Sequence, residues 1–221
     1  MKAKSKLLKV LIISLCAVVL VTGSVLGTLA YLTDTQEVVN TFTVGDVDID
    51  VDEAPVNPDG TVIPDEDRVE GNDYHLIPGQ TYTKDPTMTV KAGSEDSYVR
   101  MMVTINCMSE LKAIFGEDFL PHEYIEGKDS SIWVYNSTTD NGDNTVTYEF
   151  RYHTTVDAYE STEDIVLEPL FTSFTVPGEV TGEQLATIAD LEIRVEGHAI
   201  QTLSFNTADE AWAAFDAQMN A

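Results

Sequence analysis

The chain has four histidines, and His122 opens its nearest approach to a zinc-protease signature, His122-Glu123-Tyr124-Ile125-Glu126. A helical zinc site needs two histidines one turn apart, with a glutamate between them as base, so that both imidazoles converge on one metal. Here Glu126 stands where the second histidine belongs, and Pro121 precedes the motif. Glutamate can ligate zinc, but so degraded a motif reads better as a surface turn with incidental acids. His75, His153 and His198 are scattered, and exposed or packing roles explain them as well as ligation does. There is no Gly-x-Ser-x-Gly elbow and no phosphate-cradling glycine loop. No intact protease or hydrolase motif is present, and no residue is assigned a catalytic role.

Calcium is the better-suited ion for so acidic a chain, because hard cations gather several oxygens from loops. Asp140, Asp143 and Asn144 cluster at one turn, and Asp65, Glu66 and Asp67 in a Pro-rich stretch; neither follows the EF-hand pattern. Asp46, Asp48, Asp50 and Asp52 alternate along a strand, a spacing that suits a solvated face better than a cage. No cofactor is expected, with calcium at Asp140, Asp143 and Asn144 kept as the open case.

The first thirty residues differ from the rest. Lys2, Lys4, Lys6 and Lys9 precede an apolar run from Val10 to Val21, and Gly23, Ser24, Gly27 and Thr28 lead to Ala30. A basic start, a short apolar stretch and small residues before a cut form an export signal. An uncleaved anchor is the competing reading, since 10–30 is long enough to cross a bilayer. The expected organisation is a signal peptide over 1–30 and one extracellular domain over 31–221. Four of the 12 basic residues and none of the 38 acidic ones lie in the leader, so residues 31–221 carry 8 basic against 38 acidic side chains, a net charge of −30. Such a surface repels phosphate, which excludes nucleic acid as a partner. The membrane would be met only through the uncleaved N-terminal segment. Cys107 is the single cysteine beyond the leader, so no disulfide can form within the domain; it falls in an apolar strand pattern that reads as a buried thiol.

The elements that must position these residues are mainly strands. Val99, Met101, Val103, Ile105 and Cys107 share one parity; so do Val146, Tyr148, Phe150 and Tyr152, and so do Leu191, Ile193 and Val195 followed by Gly197 and Ala199. Each alternation marks a strand with one dry face. Phe42 and Val44 have one parity and Val47, Ile49 and Val51 the other, which predicts a bulge or kink at Gly45-Asp46. Residues 55–72 read as an acidic surface loop, and Asn141-Gly142 as a hairpin turn between strands 131–136 and 144–153. Short helices are expected over 109–119, 181–189 and 207–219. The second and third open with capping-box spacings, Thr181/Gln184 and Thr207/Glu210. Many strands and few helices predict an all-β, antiparallel two-sheet sandwich.

Gly27-Thr28-Leu29-Ala30-Tyr31-Leu32-Thr33-Asp34, continued by Asn40-Thr41-Phe42-Thr43-Val44-Gly45-Asp46, resembles the export junction of the camelysin/TasA family of Gram-positive bacteria. Leu29 stands where that junction usually has an aromatic residue. Leu76-Ile77-Pro78-Gly79, Lys84-Asp85-Pro86-Thr87, Ser97-Tyr98-Val99-Arg100, Val176-Pro177-Gly178 and Glu210-Ala211-Trp212 are similar to pieces of clostridial members. The resemblance implies cleavage between Ala30 and Tyr31 by a SipW-type signal peptidase, a secreted protein at the cell surface or in the biofilm matrix, and a jelly-roll domain. It further implies self-assembly into fibres, in which a freed N-terminal strand adds to a neighbour. The candidate donor strand comprises Tyr31, Leu32, Thr33, Val38 and Val39. The leading expectation is a structural surface or matrix protein. A camelysin-like metalloprotease and a monomeric surface-binding module are the alternatives.

Overall fold

A computed structural model describes residues 33–36, 42–44, 47–123 and 125–219. The leader over 1–30, the cut between Ala30 and Tyr31, and Leu32, Val38, Val39, Gly45 and Asp46 lie outside the described residues. Among the described residues no helix is long and apolar enough to cross a membrane.

The fold is all-β and antiparallel, with a few short helices. Its largest sheet contains β1 (Thr33–Gln36), β2 (Phe42–Val44), β6 (Ser97–Ile105), β8 (Trp133–Asp140), β9 (Val146–Tyr152) and β12 (Ile193–Gln201), ordered β2-β1-β12-β6-β9-β8. A second sheet orders β10 (Ile165–Val166), β5 (Thr87–Val90) and β3 (Ile49–Asp52). A third orders β4 (Thr81–Thr83), β11 (Ser173–Thr175) and β7 (Ile125–Glu126). Three sheets replace the two expected, because the very short strands β4, β7 and β11 pair among themselves.

Periodicity sets the core. Val99, Met101, Val103 and Ile105 of β6, Val146, Tyr148 and Phe150 of β9, and Val195 and Ala199 of β12 are buried together with Ile49 of β3 and Met88 and Val90 of β5. Removing each large apolar side chain from water contributes about 1.5–3 kcal/mol. Gly197 shows how close β12 and the second sheet come. A Cβ there would sit 2.4 Å from Val51 Cγ2 and 2.7 Å from Met88 Cε, so β12 tolerates no side chain at its centre.

The bulge or kink expected at Gly45-Asp46 lies outside the described residues. Phe42–Val44 and Ile49–Asp52 belong to different sheets, so the chain changes layer between them. Among the described residues of the large sheet, a register shift falls between Tyr135 and Ser137 of β8. The Asn141-Gly142 hairpin forms, with Gly142 at φ +76°, between a later and longer β8 than expected and β9. The 55–72 segment turns back on itself through bridges Val56↔Val62 and Glu53↔Val69, and is largely exposed from Thr61 to Gly71.

The helices are shorter than expected. They are α1 (Met108–Phe115), α2 (Gly182–Ala186) and α3 (Ala208–Met219). The Thr181/Gln184 capping box is complete. At α3 the box is altered: Thr207 Oγ1 accepts from the Glu210 N–H, but the Glu210 carboxylate turns to Asn206 N and Nδ2 instead. Ala211, Trp212 and Phe215 bury one face of α3 against Ile200. Cys107 is not a strand residue. It lies half-buried beyond β6 at φ +55°, as the residue before α1, and burial followed by the charges of Glu110 and Asp190 pushes its thiol pKa up.

Gly197→Val is expected to destabilise the fold by about 1–3 kcal/mol through overpacking. The urea midpoint should fall with an unchanged slope; an unchanged midpoint would show that the sheets are not in tight contact there.

Candidate functional site

Three places gather polar groups with defined geometry. The first is the slot of β1, which joins β12 on one side and β2 on the other. Thr33, Asp34, Thr35 and Gln36 face Ile200, Ala199, His198 and Gly197 in antiparallel register, and Thr33 to Thr35 face Val44 to Phe42. Of the candidate donor strand, Thr33 thus lies in a strand paired within its own chain; Tyr31, Leu32, Val38 and Val39 are outside the described residues. The N-terminal strand is an interior member of the sheet.

The second place is the outer face of β6 and β12, where α3 docks. Arg100 is buried, with its guanidinium carbon 4.4 Å from the Trp212 ring centre and 5.0 Å from that of Phe215. Its Nε donates to His198 Nδ1 at 3.1 Å, Nη1 and Nη2 reach Asp216, and Glu149 Oε1 lies 3.6 Å from Nη1. Arg151 bridges Glu149 and Asp209, so both ends of α3 are tied to the sheet through carboxylates. Burial, reinforced by the Arg100 charge, holds His198 neutral with its pKa down at about 3.

The third place lies where β3, the 55–72 segment and β4 meet. Glu53 is 3% exposed and Lys84 8% exposed, and Lys84 Nζ donates to Glu53 Oε2 at 2.6 Å. The other carboxylate oxygen, Oε1, accepts from Asn72 Nδ2 at 3.0 Å. Nδ2 also donates to the Ala54 carbonyl at 2.9 Å, and Asn72 Oδ1 accepts from the Val56 N–H at 2.8 Å. Tyr74 stands edge-on to Tyr82 and Phe174, which stack with centroids 5.2 Å apart. Burial, then the charges of Glu53 and Asp85, push the Tyr74 phenol upward. The three groups open on a cavity of about 490 Å³, also lined by Asp73, Pro86 and Ile193. An amine, a carboxylate and a carboxamide meet at the wall of one open cavity.

The residues singled out for metal chemistry are engaged locally. Asp140 and Asp143 accept from Gly142 N and Thr145 N within the turn. Asn144 caps α1 from outside: its Oδ1 accepts from Ser109 N at 2.7 Å and its Nδ2 donates to Glu110. Asp65, Glu66 and Asp67 are exposed. Asp50 and Asp52 pair with Lys91 and Arg68. His122 falls in a single 3-10 turn rather than a long helix and stacks on Tyr135 with centroids 5.2 Å apart, while Glu126 in β7 accepts from Thr175 Oγ1. Among the described residues no three His, Cys, Asp or Glu side chains gather as a metal-ligand set.

The buried cluster was missed by motif reading, yet parity carried a signal. Glu53 follows Val47, Ile49 and Val51 on the dry side of its strand, and Lys84 follows buried Tyr82. An acid and a base on buried parities invite the inference of a buried pair. Asn72 lies in a region without periodicity and gave no such hint.

Comparison with protein-family models, with curated proteins and with solved structures gives no match. The electrostatics at α3 yield a pH dependence. Because His198 titrates at about 3 when folded and near 6.5 when unfolded, the unfolded chain binds a proton that the folded one refuses between those values. Stability should therefore decline as pH falls below about 6.5, by up to about 1.4 kcal/mol per unit from this residue. His198→Gln, which keeps an acceptor for Arg100, should flatten that slope in urea denaturation between pH 6 and 4; an unaltered slope would contradict it.

Proposed function

We propose that the chain is an exported structural protein of a bacterial surface or matrix, jelly-roll-like in its closure, and that it assembles through the strand freed by cleavage between Ala30 and Tyr31. The likeness of the Gly27–Asp46 junction to the camelysin/TasA family motivates this reading, and a SipW-type signal peptidase is the processing partner it calls for. The observation that carries it is the position of β1, inserted between β12 and β2 in an interior place of the large sheet.

A strand at that place makes main-chain hydrogen bonds on both sides. The same bonds form whether the strand comes from its own chain or from a neighbour, so exchange alters few contacts and is governed by concentration and by the connecting segment. With its donor elsewhere, β12 presents an open edge that another copy fills. Before cleavage the segment would be tethered to the apolar leader, which withholds it until export.

The charge of residues 31–221 bears on the same reading. Strong mutual repulsion keeps subunits apart in dilute solution, and cations that screen it would favour assembly.

The test compares residues 31–221 with a version beginning at Phe42, by sizing and electron microscopy with and without calcium. The longer form should polymerise and the shorter remain monomeric. Equal polymerisation of both would remove the strand from the mechanism. Monomers under every condition would favour a surface-binding module.

A further inference from the structure

We propose that Lys84 and Asn72 become joined by an amide bond within the folded domain, with Glu53 relaying the proton and ammonia leaving. The inference rests on the cluster alone and is independent of how the N-terminus is processed.

The parts needed are an amine nucleophile, a carboxamide electrophile, a group that moves a proton between them, and a donor for the oxygen that becomes negative. Lys84 Nζ and Asn72 Nδ2 are held on the two oxygens of one carboxylate, at 2.6 and 3.0 Å. Glu53 is thus in place to take a proton from the amine and hand one to the departing nitrogen. The Val56 N–H, 2.8 Å from Asn72 Oδ1, polarises the carbonyl and stabilises the charge that gathers on that oxygen as Nζ adds to Cγ. The Ala54 carbonyl, accepting from Nδ2, fixes the amide plane. Nearly complete burial of Lys84 and Glu53 keeps bulk water from competing with the amine for the carbonyl.

The balance closes without a co-reactant. The Nζ–Cγ bond forms and the Cγ–Nδ2 bond breaks, so an ammonium side chain and a carboxamide become a secondary amide and an ammonium ion. Nothing is oxidised or reduced. The adjoining cavity gives the ammonia a way out. Holding both partners on one carboxylate replaces an encounter in solution with fixed proximity, which can carry an otherwise slow aminolysis.

A purely structural ion pair accounts for the site less well. Two charges withdrawn from water recover little net stability, and an apolar pair of similar volume often does as well. The covalent bond would close a short loop from 72 to 84 and tie β4 to the segment beside β3, a staple for a domain whose one cysteine cannot supply a disulfide.

Mass spectrometry of the purified chain after prolonged incubation at neutral pH tests this. Trypsin does not cut at an amidated lysine. Cross-linked protein should therefore yield a fragment spanning 69–91, uncut at Lys84 and about 17 Da light through the loss of one ammonia, with no fragment ions arising between positions 72 and 84. Glu53→Gln, checked for native fold by circular dichroism, should give a full-mass fragment 69–84 cut at Lys84. Asn72→Asp should lose water instead and reach the same final mass as the cross-linked parent. A natively folded parent chain cut at Lys84, with fragment 69–84 at full mass, overturns the proposal; a Glu53→Gln protein that cross-links as readily overturns the role of Glu53.

Discussion

Everything in this fold refers back to one ladder, the nine-residue antiparallel pairing of β12 with β6. Its inner face carries Val99, Met101, Val103, Val195 and Ala199 into the core, and Gly197 lets the second sheet approach to the limit of contact. Its outer face places Arg100 beside His198, where α3 closes over both. Its remaining edge receives β1. Core, C-terminal helix and N-terminal slot are three uses of one pair of strands, so damage at Gly197 would reach all three.

Scarce positive charge is the second organising constraint. Beyond the leader there are eight basic side chains and 38 acidic ones, and Arg68, Lys84, Lys91, Arg100 and Arg151 each pair with an acid from another part of the fold. Arg68 holds Asp52 and Asp85, Lys91 holds Asp50 and Asp164, Arg100 holds Asp216, and Arg151 holds Asp209. Apart from that of buried Arg100, these pairs are partly exposed and contribute little singly. Their value is in cancelling repulsion where acidic strands and loops converge, and the acids left over face solvent. Lys84 differs, being buried with Glu53 beside the half-buried Asn72.

Much of the fold was legible in the sequence because strand parity is a direct physical consequence of burial on one face. Val99 to Ile105, Val146 to Phe150 and Val195 to Ala199 fall on the core side as their alternation requires. Cys107 kept the parity but left the strand, since a left-handed backbone there turns the chain into α1. The change of phase between Val44 and Val47 separates strands of two different sheets, a layer assignment that local pattern does not reveal. Motif spacing pointed to His122 and to Asp140, Asp143 and Asn144, whose side chains serve stacking, turn and capping contacts. The Glu53–Asn72–Lys84 cluster depends on contacts 19 and 31 residues apart along the chain, which no short motif records.

The central claim is that the strand beside β12 can be supplied from outside the domain. Hydrogen exchange of the β12 amides at 197–200, in a chain beginning at Phe42, tests it most directly when a peptide of residues 31–41 is added. The account predicts fast exchange from the shortened chain alone and strong protection once the peptide binds. Amides already protected without the peptide, or unaffected by it, would contradict it.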